Sequence, residues 1–264
     1  MFELAASTIF ATLAGSQAQQ TAQEGSDVDV RGVCVAPLSL RVSLFEHFEQ
    51  YDGPLDAELS ARLLPGIQAH PTAAGGIAAG VECVIFELAK FLKLCAAANP
   101  NALEILFADE RDWLLETPAW RRLYGERHHF LTRRVHQSYL GYATAQLNKI
   151  ELQRAAPQSR KSARNPARAA LERRFGYDTK HAMHLIRLMR MGLEILQGQG
   201  VLVRRPDAEE LNAIRDGTLS HDELIARAAE LRARMAEAAA TSALPADVDR
   251  ARVDALAFEL IQLC

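Results

Sequence analysis

The sequence changes its period near Asn99-Pro100-Asn101, and that change constrains the fold more than any other feature. Before it, short apolar and β-branched runs are separated by turn residues. Thr8 to Leu13 is an apolar run stopped by Gly15-Ser16, residues 28–35 alternate with β-branched side chains, and 81–86 read as a third strand running into a helical pattern. After it, apolar residues recur at helical spacing over 130–152, 181–196, 209–214, 222–240 and 247–263. A strand register cannot hold a helical period, so the pattern predicts an α+β chain: a small mixed-sheet domain over 1–122, then an all-helical domain over 123–264. The length of 264 residues accommodates two modest domains. Residues 44–80 are less legible, and their Ala/Gly-rich end reads as a mobile connection. Ser220-His221-Asp222-Glu223 has the spacing of a helix capping box.

Composition excludes several classes. Charged residues make up 24% of the chain and hydrophobic ones 49%, with a net charge of −3, which rules out wholesale disorder. No apolar stretch is long enough for a membrane helix, so no membrane partner is expected. The apolar segment 4–14 has no Lys or Arg before it, which argues against a secretory signal. Cys34, Cys83, Cys95 and Cys264 are widely spaced, as buried free thiols of a cytoplasmic protein would be.

The chemistry gathers around Gly15-Ser16, at the end of the first strand, and Ser26-Asp27-Val28-Asp29, opening the second. Alternation along a strand puts Asp27 and Asp29 on one side. Two carboxylates so close repel unless a cation lies between them, and their hard oxygens suit Mg²⁺, with Mn²⁺ as its substitute. Glu82, at the head of the third strand, is positioned as a third ligand. The Gly-Ser turn offers backbone N–H groups and a hydroxyl to a phosphate, and Ser26, first a turn or cap residue, joins the nucleotide-binding set. Glu87 falls on the opposite parity from Glu82 and reads as a helix N-terminal residue. On the helix beginning near Asp178, Lys180, His184 and Arg187 fall at i, i+4 and i+7, a cationic stripe with His181 beside it that suits a triphosphate. His128, His129 and His136 lie with Arg127, Arg133 and Arg134 in what reads as a wet basic surface. The basic segment 154–174 can track a single nucleic-acid strand or be a solvated loop.

At these residues the chain resembles the DNA polymerase β-type nucleotidyltransferase superfamily, whose signature is a Gly-Ser turn, an Asp-x-Asp strand and a third acid on a later strand. Ser26-Asp27-Val28-Asp29-Val30-Arg31-Gly32-Val33 is similar to the predicted bacterial and phage branch, some of whose members are encoded beside RNA-repair ligases. So are Phe86-Glu87-Leu88-x-Lys90-Phe91, Asn99-Pro100-Asn101-x-x-Glu104, Gly141-Tyr142-Ala143-x-x-Gln146-Leu147 and Lys180-His181-Ala182-Met183-His184-Leu185-Ile186-Arg187-Leu188. Arg127 and Phe130 match an Arg-x-x-Phe pattern of the branch. Two positions depart from it: Gln17-Ala18-Gln19-Gln20 replaces an aromatic-glycine pair, and Glu82 stands where the third acid is usually Asp.

The resemblance implies a small mixed-sheet nucleotidyltransferase domain followed by a helical one. It also implies transfer of a nucleoside monophosphate from an NTP to a hydroxyl, with release of pyrophosphate. Asp27, Asp29 and Glu82 are then catalytic residues and metal ligands, and Gly15, Ser16, Ser26, Lys180, His184 and Arg187 bind the nucleotide. The expected acceptor is an RNA 3′ end. The alternatives are a protein hydroxyl, as in toxin–antitoxin systems, and a non-catalytic nucleotide- or RNA-binding module.

Overall fold

The computed structural model describes residues 2–155 and 172–264. The described chain divides into two compact units, one of residues 1–131, 203–205 and 247–264, the other of 132–202 and 206–246.

The first unit holds a five-stranded sheet in the order β3-β4-β2-β1-β5. Its strands are β1 (Thr8–Leu13), β2 (Val28–Cys34), β3 (Gln50–Pro54), β4 (Val81–Glu87) and β5 (Trp113–Glu116). Only β2 and β4 run parallel; the other pairs are antiparallel. β1 is buried along its whole length, which is why it reads as an unbroken apolar run. Six helices precede or interleave the strands, α1 (Leu4–Ser7), α2 (Gly15–Gln19), α3 (Leu38–Arg41), α4 (Ala57–Ala69), α5 (Leu88–Ala96) and α6 (Pro100–Leu106), and α7 (Pro118–Gly125) follows β5. On one sheet face, Leu59, Leu63 and Ile67 of α4 pack on Ala11, Leu13, Val28, Val30 and Ile85. On the other, the Phe10 and Trp120 rings stack at 3.6 Å, with Phe91 at 6.0 Å from Trp120.

The second unit contains α8 (Arg134–Ala155), α9 (Thr179–Leu196), α10 (Ala208–Arg215) and α11 (His221–Thr241), with α9 packed against the other three. α9 is apolar on most sides, as a central helix must be. Ser220 and Glu223 close the expected capping box on α11. The last helix, α12 (Arg250–Gln262), packs on α7 and α5 of the first unit. The compact units therefore do not follow a single cut at 122/123.

The structure also differs from the expected elements in the front half. β3 and α4 occupy much of the segment that carried no clear pattern, and residues 74–79 form a 3₁₀ turn where a loose connection was expected. β5 interrupts the stretch expected to be helical throughout. Cys34, Cys83 and Cys95 are buried free thiols, but Cys264 is exposed. Burial pushes the Cys34 and Cys83 thiols up to about 12. Among the described residues, no helix is long and apolar enough to cross a membrane.

Candidate active site

The acidic end of the sheet is built by strand register. Asp29 in β2 is the direct partner of Glu82 in the parallel strand β4. Neighbouring strands lie about 4.8 Å apart, and paired residues project on the same face, so the two carboxyl-bearing side chains are neighbours. Asp27 immediately precedes β2 and shares the parity of Asp29. Asp27 and Glu82 are exposed, and Asp29 is partly buried.

Asp29 is held from two sides. Arg31, two residues along and therefore on the same face, donates Nη2–H to Asp29 Oδ1 at 2.9 Å. The same guanidinium donates Nη1–H to the Val30 carbonyl at 2.9 Å and to the Glu82 carbonyl at 3.4 Å. On the other side stands Gly15, the first residue of α2. Its φ is +56°, and a Cβ placed there would lie 2.0 Å from Asp29 Oδ2. Only glycine combines that backbone conformation with so close an approach. The Ala14 N–H donates to the Asp29 carbonyl at 2.8 Å, tying the turn to β2.

Ser16 follows within α2, and its carbonyl accepts the Thr21 N–H at 2.9 Å. Gln19 Nε2 donates to Glu104 of α6 at 2.8 Å, and the Gln19 carbonyl accepts the Arg205 N–H at 3.4 Å. Gln17 and Gln19 are buried where the family pattern has an aromatic-glycine pair. The Ser26 hydroxyl accepts the Gln23 N–H at 3.0 Å, a turn brace just ahead of Asp27.

Among the described residues, no three His, Cys, Asp or Glu side chains are gathered as a ready metal cage. The donor set nonetheless fits a hard divalent cation. All three acids offer carboxylate oxygens, two are register partners, and the glycine cradle leaves Asp29 Oδ2 uncovered by any side chain at position 15.

The other expected site residues lie in the second unit. Lys180 is exposed on the first turn of α9, and Arg187 is buried, with Nη1–H directed at Met191 Sδ at 3.1 Å. Burial, with the charges of Arg187, Lys180, His181 and Arg215, holds His184 down to about 3. His184 is thus neutral near pH 7 and adds no charge to the expected cationic stripe. His181 Nδ1 lies 2.8 Å from Gln146 Oε1. Most of the basic segment 154–174 lies outside the described residues.

Several flanking residues have structural tasks. Glu87 caps α5, accepting the Ala89 N–H at 2.6 Å, and Asn99 caps α6. The Arg127 guanidinium lies 3.8 Å from the Tyr124 ring centroid. A network that sequence reasoning missed lies at the start of β5. Fully buried Asp112 meets His70 Nε2 at 3.2 Å and Arg204 Nη2 at 2.5 Å through Oδ1, while its carbonyl accepts from Thr12 Oγ1 at 3.0 Å. Burial raises the Asp112 pKa, against the opposing pull of Arg204 and His70. These partners are 42 and 92 residues from Asp112, beyond any local spacing rule. Arg31 was missed as well, although its place two residues along from Asp29 on the same strand face is a signal that alternation supplies.

A family model described as the RNA repair pathway DNA polymerase beta family (RlaP) matches residues 3–257. The chain belongs to that family. This member of the polymerase beta family is also similar to a solved nucleotidyltransferase-like protein from Exiguobacterium sibiricum 255-15. The two are 13% identical over 90% of this chain and 71% of that one, with a TM-score of 0.30. No curated protein matches the chain.

Proposed function

We propose that the protein is a divalent-cation-dependent nucleotidyltransferase that moves a nucleoside monophosphate from an NTP to a hydroxyl, with an RNA 3′ end as acceptor, in the cytoplasm. The observation that carries this reading is the side-by-side register of Asp29 and Glu82 against the Gly15 turn. Asp27, Asp29 and Glu82 would hold the cation, which when bound would supply charge neutralisation at the phosphates and acidify the acceptor hydroxyl. The chain's own residues orient the reactants. Gly15 keeps the turn open beside Asp29, the Ser16 hydroxyl donates to a phosphate oxygen, and the Ser26 turn sets the entry of Asp27 into β2. The RNA acceptor is supported by the family's description as part of an RNA repair pathway.

The test is incubation with each α-labelled NTP, Mg²⁺ or Mn²⁺, and either total RNA or cell protein. Label in RNA is expected. Label in protein replaces the acceptor by a Ser, Thr or Tyr hydroxyl, and no label in either points to a binding module. Asp27→Ala and Asp29→Ala should each abolish transfer while leaving the far-UV spectrum unchanged. Full activity in either variant removes the metal-ligand assignment.

A further inference from the structure

We propose that Arg31 is a positioning residue that sets which divalent cation the acidic end of the sheet accepts; the inference rests on the nucleotidyltransferase reading above. Its guanidinium is held at three points on two strands: Asp29 Oδ1, the Val30 carbonyl and the Glu82 carbonyl. A surface ion pair lacks such backbone anchors. Here the planar fork is fixed by main-chain acceptors, and the carboxylate is fixed by the fork. Arg31 therefore occupies one oxygen of Asp29 and leaves the other, Oδ2, on the side of Gly15.

That division of the carboxylate has a chemical consequence. Ca²⁺ takes six to eight oxygen ligands and accepts both oxygens of one carboxylate, whereas Mg²⁺ demands a compact octahedron. With Oδ1 committed to Arg31, Asp29 presents a single oxygen. This costs a cation that wants two oxygens more than one that wants one. The positive charge of Arg31 is a separate effect. It opposes every divalent ion alike, so it cancels from the ratio of two divalent affinities, and the ratio reports the fork alone.

The full chain is titrated with Mn²⁺, followed by its electron paramagnetic resonance signal, and Ca²⁺ is measured by competition. Wild type, Arg31→Ala, Arg31→Lys and Asp29→Asn are compared. In wild type, Mn²⁺ binds and Asp29→Asn weakens it. In Arg31→Ala, the ratio of Ca²⁺ to Mn²⁺ affinity rises by about tenfold, the scale on which partners of metal ligands act. Arg31→Lys keeps the charge but loses the fork, so the ratio rises by a similar factor. Arg31→Lys also decides the matter if Arg31→Ala fails to fold. An unchanged ratio overturns the role of Arg31 and leaves the transferase reading standing. Absence of Mn²⁺ binding in wild type, or binding indifferent to Asp29→Asn, overturns both.

Discussion

At the scale of single residues, the acidic end of the sheet depends on what is absent at position 15 as much as on the acids. Gly15→Ala places a methyl group where Asp29 Oδ2 now lies, at a left-handed φ of +56°. The backbone conformation alone costs a non-glycine residue about 1–2 kcal/mol. The contact adds a second penalty that stability can escape and function cannot, because the Asp29 carboxylate must swing away. Gly15→Ala should thus lower the unfolding free energy modestly while cutting nucleotidyl transfer by about 10²-fold, the cost of a displaced catalytic group. Denaturant unfolding and a labelled-NTP assay on one preparation check this, and a variant that retains wild-type turnover sinks the cradle. The shared parity of Asp27 and Asp29 was legible in the sequence because strand alternation is a strict rule, whereas the pairing of Asp29 with Glu82 is set by the register of β2 on β4. Asp112 was not, because its partners His70 and Arg204 come from distant segments and only the folded sheet brings them together.

At the scale of elements, α9 shows how a helix can contain a histidine that behaves as part of its core. In the folded chain His184 protonates only at about 3, whereas an unfolded histidine does so near 6.5. A depressed pKa means that the unfolded state takes up a proton first. The stabilisation is therefore fully present above about pH 6.5 and lost as pH falls toward about 3. Replacing His184 with Gln removes the titration but not the neighbouring charges of Lys180, His181, Arg187 and Arg215. The stability gap between wild type and His184→Gln should accordingly shrink steadily from pH 7 to pH 4, and a constant gap refutes the account. Elements with strong periodicity, such as α9 and α11, were legible nearly to their ends. The misses share a cause. β3 is the edge strand Gln50-Tyr51-Asp52-Gly53-Pro54, without a β-branched residue, and α4 contains Pro65. β5 spans four residues and owes its conformation to pairing with β1 rather than to its own sequence.

At the scale of the whole molecule, the order of segments along the chain is not their order in space. α12 follows α8 to α11 of the second unit in the chain, yet it packs on α5 and α7 of the first. Leu256 and Leu260 are buried, and Arg122 grips Glu259 with two hydrogen bonds, Nε–H to Oε1 at 2.7 Å and Nη2–H to Oε2 at 3.0 Å. Periodicity revealed the helix but not its partner, since an amphipathic stripe says that a face is buried without saying against what. The chain's two tryptophans, Trp113 and Trp120, both belong to the first unit, so selectively excited tryptophan fluorescence follows that unit alone. Leu260→Ala should cost about 2–5 kcal/mol, as large-to-small changes at buried leucines do. It should move the fluorescence-detected unfolding midpoint to lower denaturant. If that midpoint stays fixed while far-UV circular dichroism, dominated by helix, reports earlier unfolding, then Leu260 stabilises the second unit and the assignment of α12 to the sheet is wrong. A shift in fluorescence instead ties the end of the chain to the unit that carries Asp27, Asp29 and Glu82. Losses of transfer in α12 variants would then trace to loosening of the sheet domain rather than to a direct role in the reaction.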